Sequence, residues 1–567
     1  MSEDSVYQAC ATFAMELANQ GVAHAVISPG SRSTPLTLTF AQTPGITTWT
    51  RLDERSAAFF ALGIAKTSGV PVVLVCTSGT AASNYLPAIT EANLSDIPLI
   101  VLTANRPPEL RDWGAAQTIT QTNIYGDNVR WFEELPIFDK SNASWFQRVA
   151  ARAYQTSIGS RPGPVHLDWP FREPLEPVSD FSLPENTPKI RAANPTQRLA
   201  PEVNNEIAAV IENASQGIVI AGPMNQGSQW HDAVALLCKR TGFPLLADPL
   251  SQLRFAQEDV QVITHHDHLL RTSWADRAVP EVVIRVGGPP TCKPLRLWLE
   301  RHQPRMIMFD PANTWADPSF TVTDLVPVGH EGLGEIALMV QDRVSDKSWG
   351  PRWVNADTLA GETINEILDS ERLSQPAIAR EIGRQLSAAD ALYVSNSMPV
   401  RDIDSFLEAD TSLYRIFGNR GASGIDGVIS SAAGAAVQEK ATTLLIGDLA
   451  FQHDIGGLIA TKNDGSDLTI VLLDDNGGGI FNYLPIAQVT ESQLFSEFFT
   501  TPQGLNFSEL VKSLGIAYHE APDLNSLKDL LKTRNGLRVI RVPIDSSFDI
   551  DQHRRLAAAV EEATAGL

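Results

Sequence analysis

The sequence has 567 residues, of which 43% are hydrophobic and 19% are charged. This length exceeds what one hydrophobic core supports, so about two to four domains are expected. The formal net charge of −22 argues against a general polyanion binder, because the averaged field repels nucleic acid and anionic membrane surfaces. If a ligand is itself anionic, arginines must be concentrated locally against that field.

Cysteine usage and the N-terminus indicate the compartment. The cysteines Cys10, Cys76, Cys238 and Cys292 lie far apart without a C-x-x-C pair, so neither a disulfide framework nor a zinc site is predicted. The N-terminus is acidic and then amphipathic, unlike a signal peptide. No run of about 18 apolar residues occurs, so no membrane-spanning segment is predicted. We expect a cytoplasmic protein without nucleic-acid or membrane partners.

Residues 1–180 are predicted to form a first α/β domain, because short β-rich runs alternate with helical ones. These runs are helices at 4–20 and 55–68, strands at 22–28, 71–76, 97–103 and 164–169, and a strand-like run at 47–53. Polar loops follow three of the strands, at 28–34, 77–80 and 103–107. Ligands of parallel sheets bind at the carboxyl ends of the strands, so these loops are expected to face one crevice.

Residues 172–202 are rich in proline and polar residues and predict an interdomain linker. A central α/β domain is predicted over 200–345, but it has no dinucleotide or P-loop motif. A loose stretch at 342–361 then precedes a third α/β domain over 360–567. The strands predicted in these two domains are 217–223, 243–249, 281–288, 305–311, 391–397, 413–419, 442–448, 468–475 and 537–543, with a helix at 375–387.

Two apolar strands of the third domain each end in a carboxylate, at Asp448 and at Asp475, 27 residues apart. This spacing suits a strand, a crossover helix and a parallel strand, which bring both ends to one sheet edge. An isolated aspartate there is most often a helix cap or a turn residue. Two together, before the glycines 477–479, leave negative charge unpaired unless a cation lies between them. All-oxygen ligands favour Mg²⁺, Mn²⁺ or Ca²⁺ over zinc, and we interpret the nearby His453 as structural.

The pattern Gly447-Asp448-Leu449, followed by Asp475-Asn476, resembles the diphosphate-binding motif of thiamine-diphosphate enzymes. Other segments extend the resemblance over essentially the whole chain, to the 2-succinyl-5-enolpyruvyl-6-hydroxy-3-cyclohexene-1-carboxylate synthases of menaquinone biosynthesis. These segments are SPGSRSTPL at 28–36, Asp53-Glu54-Arg55, ANRPPEL at 104–110, NSMPVRDID at 396–404, NRGASGIDG at 419–427 and DNGGGIF at 475–481. The resemblance implies an α/β protein of three doubly wound parallel-sheet domains, which are pyrimidine-binding, central and diphosphate-binding.

The cofactor implied by the resemblance is thiamine diphosphate with Mg²⁺ or Mn²⁺. Glu54 is implied as the catalytic carboxyl group that acts on the aminopyrimidine ring, whereas an isolated glutamate at a helix start is explained by the helix dipole. The implied metal ligands are Asp448, Asp475 and the Gly477 carbonyl. Asp475 replaces the asparagine usual in the superfamily, and its extra charge can shift preference toward Mn²⁺. Further cofactor contacts are implied for Gly447, Leu449, Gly478, Ser397, Ile480, Phe481 and Ile425, the last as the bulky residue that keeps the cofactor bent.

Arginine placement fits the implied substrates, 2-oxoglutarate and isochorismate, which each carry two carboxylates. Arg32, Arg106, Arg401 and Arg420 all fall in polar loops and match substrate-binding positions of the family. Ser31, Gln117 and Lys293 match further substrate-binding positions. For any single exposed arginine, a solvated ion pair is the alternative.

The implied reaction decarboxylates 2-oxoglutarate and adds the succinyl-semialdehyde carbanion to isochorismate in a 1,4-addition, formally as a transferase. In this superfamily the residues that Glu54 and Asp448 match act on one cofactor from different chains. The resemblance therefore implies a homodimer as the minimal unit, commonly paired into a homotetramer. Two alternatives stay open: another thiamine-diphosphate-dependent 2-oxoacid decarboxylase or carboligase, and a non-catalytic homologue with the same fold.

Overall fold

The computed structural model describes residues 5–138, 142–177, 181, 183, 189–193, 197–225, 227–254, 259–341, 347–370, 372–408, 414–439 and 441–567. Within these residues the chain forms three sheets, each of six parallel strands, which confirms the predicted fold class. The residues group into two compact units. The first comprises 1–195, 419–439 and 452–466, and the second comprises 196–418, 440–451 and 467–567. None of the described helices is long and apolar enough to cross a bilayer.

The first sheet belongs to the first unit. Its strands are β1 (His24–Ile27), β2 (Thr47–Thr50), β3 (Val72–Cys76), β4 (Leu99–Asn105), β5 (Trp131–Glu134) and β6 (Pro164–Pro170), in the order β2-β1-β3-β4-β6-β5. The helices along this segment are α1 (Ser5–Gln20), α2 (Thr34–Gln42), α3 (Glu54–Ser68), α4 (Thr80–Asn84), α5 (Leu86–Leu94) and α6 (Ala143–Ser157). The central strands β3, β4 and β6 are buried along their whole length, as expected for a sheet covered on both faces.

The second sheet lies in the second unit. Its strands are β7 (Gly217–Ala221), β8 (Leu245–Ala247), β9 (Val262–Ile263), β10 (Val282–Val286), β11 (Arg305–Phe309) and β12 (Val322–Val326), in the order β12-β11-β10-β7-β8-β9. The helices along this segment are α7 (Pro201–Asn213), α8 (His231–Thr241), α9 (His266–Leu269), α10 (Lys293–His302), α11 (His330–Met339) and α12 (Trp349–Ser370).

The third sheet also lies in the second unit. Its strands are β13 (Asp390–Val394), β14 (Arg415–Gly418), β15 (Ala441–Gly447), β16 (Leu468–Asp474), β17 (Ala517–Glu520) and β18 (Arg538–Pro543), in the order β14-β13-β15-β16-β18-β17. The helices along this segment are α13 (Gln375–Gln385), α14 (Met398–Phe406), α15 (Val428–Gln438), α16 (Asp448–His453), α17 (Ile455–Thr461), α18 (Ile486–Val489), α19 (Ser492–Phe495), α20 (Phe507–Ser513), α21 (Leu524–Lys532) and α22 (Ser546–Thr564).

Within the first unit, α15 packs closely against α3 because glycines line their crossing. A Cβ atom at Gly63 would lie 2.0 Å from the Ser431 carbonyl oxygen, and one at Gly434 would lie 2.1 Å from the Phe60 carbonyl oxygen. Any side chain at either position would force the helices apart. Since α3 begins at Glu54, this packing holds the helix that carries the predicted catalytic carboxylate.

Four strands that the sequence did not predict, β5, β9, β12 and β17, all lie at the edges of sheets. They span two to five residues each and are partly exposed. Edge strands bury little surface, so they lack the continuous apolar run that marks a central strand. The predicted strand at 413–419 is observed at Arg415–Gly418, and residue 413 lies outside the described residues.

The loose stretch predicted at 342–361 is wrong from residue 349 onward, where the 22-residue helix α12 begins. Its buried side chains recur at helical spacing, which the prediction overlooked: Trp349, Trp353, Ala356, Ala360, Ile364 and Leu368. Residues 342–346 lie outside the described part of the chain. The predicted linker at 172–202 ends where α7 begins, and its residues 178–180, 182, 184–188 and 194–196 also lie outside the described part.

Candidate active site

Glu54 is the first residue of α3, where the Asp53 side chain caps the helix by accepting from the amides of Arg55 and Ser56 at 2.9 and 3.3 Å. The Glu54 side chain is partly buried, and its Oε2 accepts from Asn84 Nδ2 at 3.4 Å. Burial and then the charge of Glu54 raise the pKa of the Cys76 thiol. The carboxylate therefore lies near the carboxyl end of β3, where a ligand of this sheet is expected.

In the first unit, Arg106 and Gln117 meet at Ser78. An Arg106 guanidinium nitrogen donates to Ser78 Oγ, which in turn donates to the Gln117 carbonyl oxygen at 3.0 Å. The Gln117 side chain donates to the Ser78 carbonyl oxygen at 3.0 Å, and its backbone adopts a φ of 57°. A left-handed residue other than glycine is uncommon and is often retained where it orients a functional group.

Burial, followed by the charge of Arg32, lowers the pKa of Arg106, which shows that the two guanidiniums lie close together. Arg32 is 6% exposed and donates to the Phe171 carbonyl oxygen at 3.1 Å and to Glu173 Oε1 at 3.0 Å. Its Nε is buried without a hydrogen-bond partner among the described residues. Two guanidiniums and one unused donor form a region suited to a carboxylate ligand. Ser31 precedes Arg32 and is exposed.

Arg420 lies in a loop that hydrogen bonds to Glu91 anchor. The Glu91 carboxylate accepts from the amides of Gly421 and Ala422 at 2.9 and 2.7 Å, and it lies 3.9 Å from Lys66 Nζ. Arg420 is therefore fixed within the first unit by backbone contacts on its C-terminal side. Ile425 follows in the same loop and is partly buried.

In the second unit, the parallel pairing of β15 and β16 brings Asp448 and Asp475 to one sheet edge, as their spacing predicted. Burial raises the pKa of Asp448 to about 7, with a contribution from the charge of Asp474. Burial and the charge of Asp448 raise the pKa of Asp475 to about 8. Among the residues described, no arginine, lysine or histidine forms an ion pair with either. Asp474, the last residue of β16 and the neighbour of Asp475 in the chain, pairs with Arg541 at 2.6 Å.

The glycine run after Asp475 is required by tight backbone packing. Gly477 has a φ of 141°, and a Cβ there would lie 2.1 Å from the Thr500 carbonyl oxygen. A Cβ at Gly479 would lie 2.0 Å from Asp475 Oδ2. The Gly478 amide donates to the Thr500 carbonyl oxygen at 2.7 Å. The turn is thus fixed close to the carboxylate of Asp475.

The same edge fits a divalent cation and a phosphate group. Its donors are all oxygens, and two uncompensated carboxylates attract a cation. A Cβ at Gly447 would meet no atom within 4 Å, so packing inside this chain does not require a glycine there. The open space at Gly447 leaves room for a ligand beside Asp448. Leu449 donates its amide to Asp448 Oδ1 at 2.7 Å.

Ile480 and Phe481 lie in a 3₁₀ turn, Gly479–Tyr483, that follows the glycines. Both side chains are partly exposed, and Phe481 contacts Phe499 edge-to-face at 5.6 Å. Ser397 directly precedes α14 at its N-cap position, with a φ of 74° and a ψ of −131°. This conformation is strained for any residue other than glycine. Arg401, one turn later, is exposed and donates to the Ser397 carbonyl oxygen.

Lys293 is exposed at the start of α10 in the second unit. The functional contacts that the sequence analysis missed are mostly between distant residues, such as Asn84 with Glu54 and Glu91 with the loop of Arg420. Ser78 lies in the polar loop 77–80, and that loop signal could have identified it.

Family models and relatives agree with this arrangement. Models described as the thiamine pyrophosphate enzyme N-terminal TPP binding domain, the middle domain of thiamine pyrophosphate and the thiamine pyrophosphate enzyme C-terminal TPP binding domain match residues 9–124, 187–394 and 407–540. All three parts of a thiamine-diphosphate enzyme are therefore present in sequence.

Relatives match over nearly the whole chain. The 2-succinyl-5-enolpyruvyl-6-hydroxy-3-cyclohexene-1-carboxylate synthase of Geobacillus kaustophilus is 41% identical over 554 residues, which cover 95% of each chain. The protein of the same name from Chloroflexus aurantiacus is 39% identical over 98% of this chain and 96% of its own. The one from Haloarcula marismortui is 38% identical over 98% of each chain.

Proposed function

Because the chain belongs to the 2-succinyl-5-enolpyruvyl-6-hydroxy-3-cyclohexene-1-carboxylate synthase family, we propose that it decarboxylates 2-oxoglutarate and transfers the resulting succinyl-semialdehyde unit to isochorismate. The reaction is a 1,4-addition of the menaquinone pathway and makes the enzyme a transferase. The observation that carries the proposal is the 41% identity over 95% of both chains with a synthase of this name. The three thiamine pyrophosphate domains agree with it.

The cofactor would be held at the edge of the third sheet. Asp448, Asp475 and the Gly477 carbonyl would bind Mg²⁺ or Mn²⁺, and the Gly447, Leu449 and Gly478 backbone would face the diphosphate. When bound, thiamine diphosphate supplies a nucleophilic carbon and stabilises the negative charge left as CO₂ departs. Glu54 would hold a proton at a carboxylate oxygen and exchange it with the pyrimidine ring. Ile425, Ser397, Ile480 and Phe481 would orient the cofactor by contact.

The substrates would be held by positive charge that is concentrated locally on an acidic protein. Arg32 and Arg106 already lie close enough to lower the pKa of Arg106, so a bound carboxylate would relieve their repulsion. Arg401, Arg420 and Lys293 would bind the remaining carboxylates, and Ser31 and Gln117 would add hydrogen bonds. Such fixed donors orient an anionic substrate before reaction.

We propose a homodimer as the minimal active unit, commonly paired into a homotetramer, because Glu54 and Asp448 would serve one cofactor from different chains. We also propose a cytoplasmic location and three domains, which span residues 1–180, 200–345 and 360–567.

The test is a mixture of purified protein, thiamine diphosphate, Mg²⁺, 2-oxoglutarate and isochorismate. Isochorismate absorbance should fall only when all components are present. Turnover of pyruvate without loss of isochorismate would instead favour another 2-oxoacid decarboxylase and overturn the proposal.

Substitution of Glu54 tests whether the protein is an enzyme or a folded but non-catalytic homologue. Glu54→Gln should bind thiamine diphosphate in calorimetry and lose turnover by on the order of a hundredfold or more. Glu202→Gln is the matched control, since Glu202 also lies in the first turn of a helix, α7. Equal activity of the Glu54→Gln variant and the wild type would contradict the catalytic role.

A further inference from the structure

The C-terminal helix α22 carries Asp549 and His553, four residues apart on one face. His553 Nε2 lies 2.9 Å from Asp402 Oδ1 of α14. His553 Nδ1 lies 2.8 Å from the Asp549 carbonyl oxygen and 3.1 Å from the Tyr483 hydroxyl. That hydroxyl donates to Asp549 Oδ2 at 3.2 Å. The imidazole therefore links α22 both to α14 and to the Gly479–Tyr483 turn.

The cluster is ionic and enclosed. The side chains of Asp402 and Asp549 are each 3% exposed, and that of His553 is 16% exposed. Burial by itself lowers the pKa of His553, but the hydrogen bond and charge of Asp402, with the charge of Asp549, outweigh it and raise the pKa to about 9. At neutral pH both ring nitrogens carry a proton. Nε2 then donates to Asp402 Oδ1, and Nδ1 donates toward the Asp549 carbonyl oxygen and the Tyr483 hydroxyl. A doubly donating ring fixes the direction of both contacts.

Both elements that meet at His553 carry proposed contacts of the active site. Asp402 directly follows Arg401 in α14, and Tyr483 ends the turn that carries Ile480 and Phe481. The start of α22 reaches the same edge, because Ser546 Oγ donates to the Asp475 carbonyl oxygen at 3.1 Å. The helix is therefore anchored at two points along the 475–483 segment.

We propose that His553 is a positioning residue, which fixes the Gly479–Tyr483 turn against α14 and thereby sets the placement of Phe481 relative to Arg401. The inference rests on the proposed function, since it takes these residues as cofactor and substrate contacts. In this proposal His553 acts through its contacts with Tyr483 and Asp402 and is not itself a substrate or cofactor contact. Displacing a guanidinium that binds a substrate carboxylate weakens substrate binding, so the effect is expected mainly in KM.

The link depends on pH in a defined direction. The titratable groups that face the ring are Asp402 of α14, Asp549 of its own helix, Tyr483 of the turn and His268 of α9. Burial lowers the pKa of His268 to about 3, so it stays neutral, and burial raises the pKa of Tyr483. Because the pKa of His553 is raised, the link is complete at neutral pH and is lost as the pH rises through about 9. Burial raises the pKa of Asp402 to about 6, so the link also weakens below that pH.

The experiment compares His553→Gln and Tyr483→Phe in the holoenzyme with Glu561→Gln. Glu561 lies on the same helix and accepts from the Ser273 amide and hydroxyl at 2.9 and 2.7 Å, so it serves as an anchor that does not involve the turn. Tyr483→Phe removes one hydroxyl and keeps the ring, which preserves folding. The measurements are hydrogen exchange of peptides covering 476–490 and 398–406, and KM and kcat for 2-oxoglutarate between pH 6 and 10.

His553→Gln should speed exchange in 476–490 and raise KM for 2-oxoglutarate, both on the order of tenfold, with a smaller change in kcat. Tyr483→Phe should change both in the same direction by less. The rise of KM above pH 9 should be present in the wild type and absent in His553→Gln. Glu561→Gln should leave exchange in 476–490 and KM unchanged even if its melting temperature falls.

Unchanged exchange and KM in folded His553→Gln and Tyr483→Phe would overturn the proposal. Equal changes in Glu561→Gln would also overturn it, because His553 would then act only on the stability of α22. If the wild type does not consume isochorismate with 2-oxoglutarate, the proposed function fails. The exchange comparison needs no substrate, so it still decides whether His553 holds the turn.

Discussion

Two clusters built around buried carboxylates, one with Glu91 and one with Asp448 and Asp475, differ in whether the described chain provides a cationic partner. In the first unit, Glu91 is 2% exposed and accepts from two amides, from Ser95 Oγ at 2.7 Å, and lies 3.9 Å from Lys66 Nζ. At the edge of the third sheet, Asp448 and Asp475 have raised pKa values and no cationic partner among the described residues. The first cluster is complete without a ligand, and the second is not.

Burial of a charge therefore does not by itself mark a binding site. A buried carboxylate with a cationic partner in place holds the fold, whereas one without such a partner has a high free energy until a cation binds. Asp474 shows the difference at short range, because it lies beside Asp448 and Asp475 and yet pairs with Arg541. The absence of a cationic partner among the described residues, more than the residue type, separates the proposed ligand-binding positions from the structural ones.

Asp448→Ala should have the largest effect. Removing one of the two carboxylates removes a proposed metal ligand, so Mg²⁺-dependent binding of thiamine diphosphate should fall below detection in calorimetry, and turnover with it. Asp474→Asn is the control, because that carboxylate already has Arg541 as its partner. Unchanged affinity in Asp448→Ala would show that the metal lies elsewhere.

Glu91→Gln should mainly destabilise the protein. The substitution leaves the buried Lys66 ammonium without its counter-charge, which costs about 3–5 kcal/mol. The melting temperature, followed by tryptophan fluorescence, should fall by several degrees. The double variant Lys66→Met/Glu91→Gln should lose less than Glu91→Gln alone, because no unpaired charge remains. Additive losses would show that the two side chains are not coupled.

The loss in Glu91→Gln should depend on pH. Burial lowers the pKa of Lys66 to about 8, so the folded state disfavours its charge. This cost is fully present below the folded pKa and disappears as the pH rises toward the ordinary lysine value. The melting temperature of Glu91→Gln should therefore approach that of the wild type between pH 7 and pH 10. A constant difference across this range would exclude Lys66 as the source of the loss.

Most of the fold could be predicted from the sequence because the central strands are buried on both faces. Strands such as β3, β15 and β16 are buried along most of their length and contain long apolar stretches, which are easily recognised. The missed strands β5 and β17 are partly exposed edge strands without such a pattern. The helix α12 was missed because its apolar residues are spread over 22 positions that also contain glycine and proline.

The site could be predicted only where the signal is local in sequence. The carboxylates at 448 and 475 follow recognisable strands, and parallel pairing then brings them together. The Glu91 contact with Gly421 joins residues 330 positions apart, and no local pattern indicates such a partner. The spacing of Asp549 and His553 does indicate a shared helix face, but most pairs at this spacing are exposed ion pairs of small effect. Burial, which the sequence does not specify, distinguishes this one.

Asp475→Asn should have the smallest effect and test the comparison most directly. Asparagine is close in shape to aspartate and removes the cost of burying a carboxyl group whose pKa is raised to about 8, so the protein without metal should become more stable by about 1 kcal/mol. The melting temperature in the presence of a chelator should rise by about 1 °C.

Mg²⁺ should raise the melting temperature of the Asp475→Asn variant less than that of the wild type, since one anionic ligand is lost. The same substitution at Asp474 should lower the melting temperature, because it breaks the pair with Arg541. Opposite signs at adjacent aspartates are expected only if Asp475 lacks a partner and Asp474 has one. A loss of stability in Asp475→Asn without metal would mean that the chain itself satisfies this carboxylate, and the distinction from Glu91 would not hold.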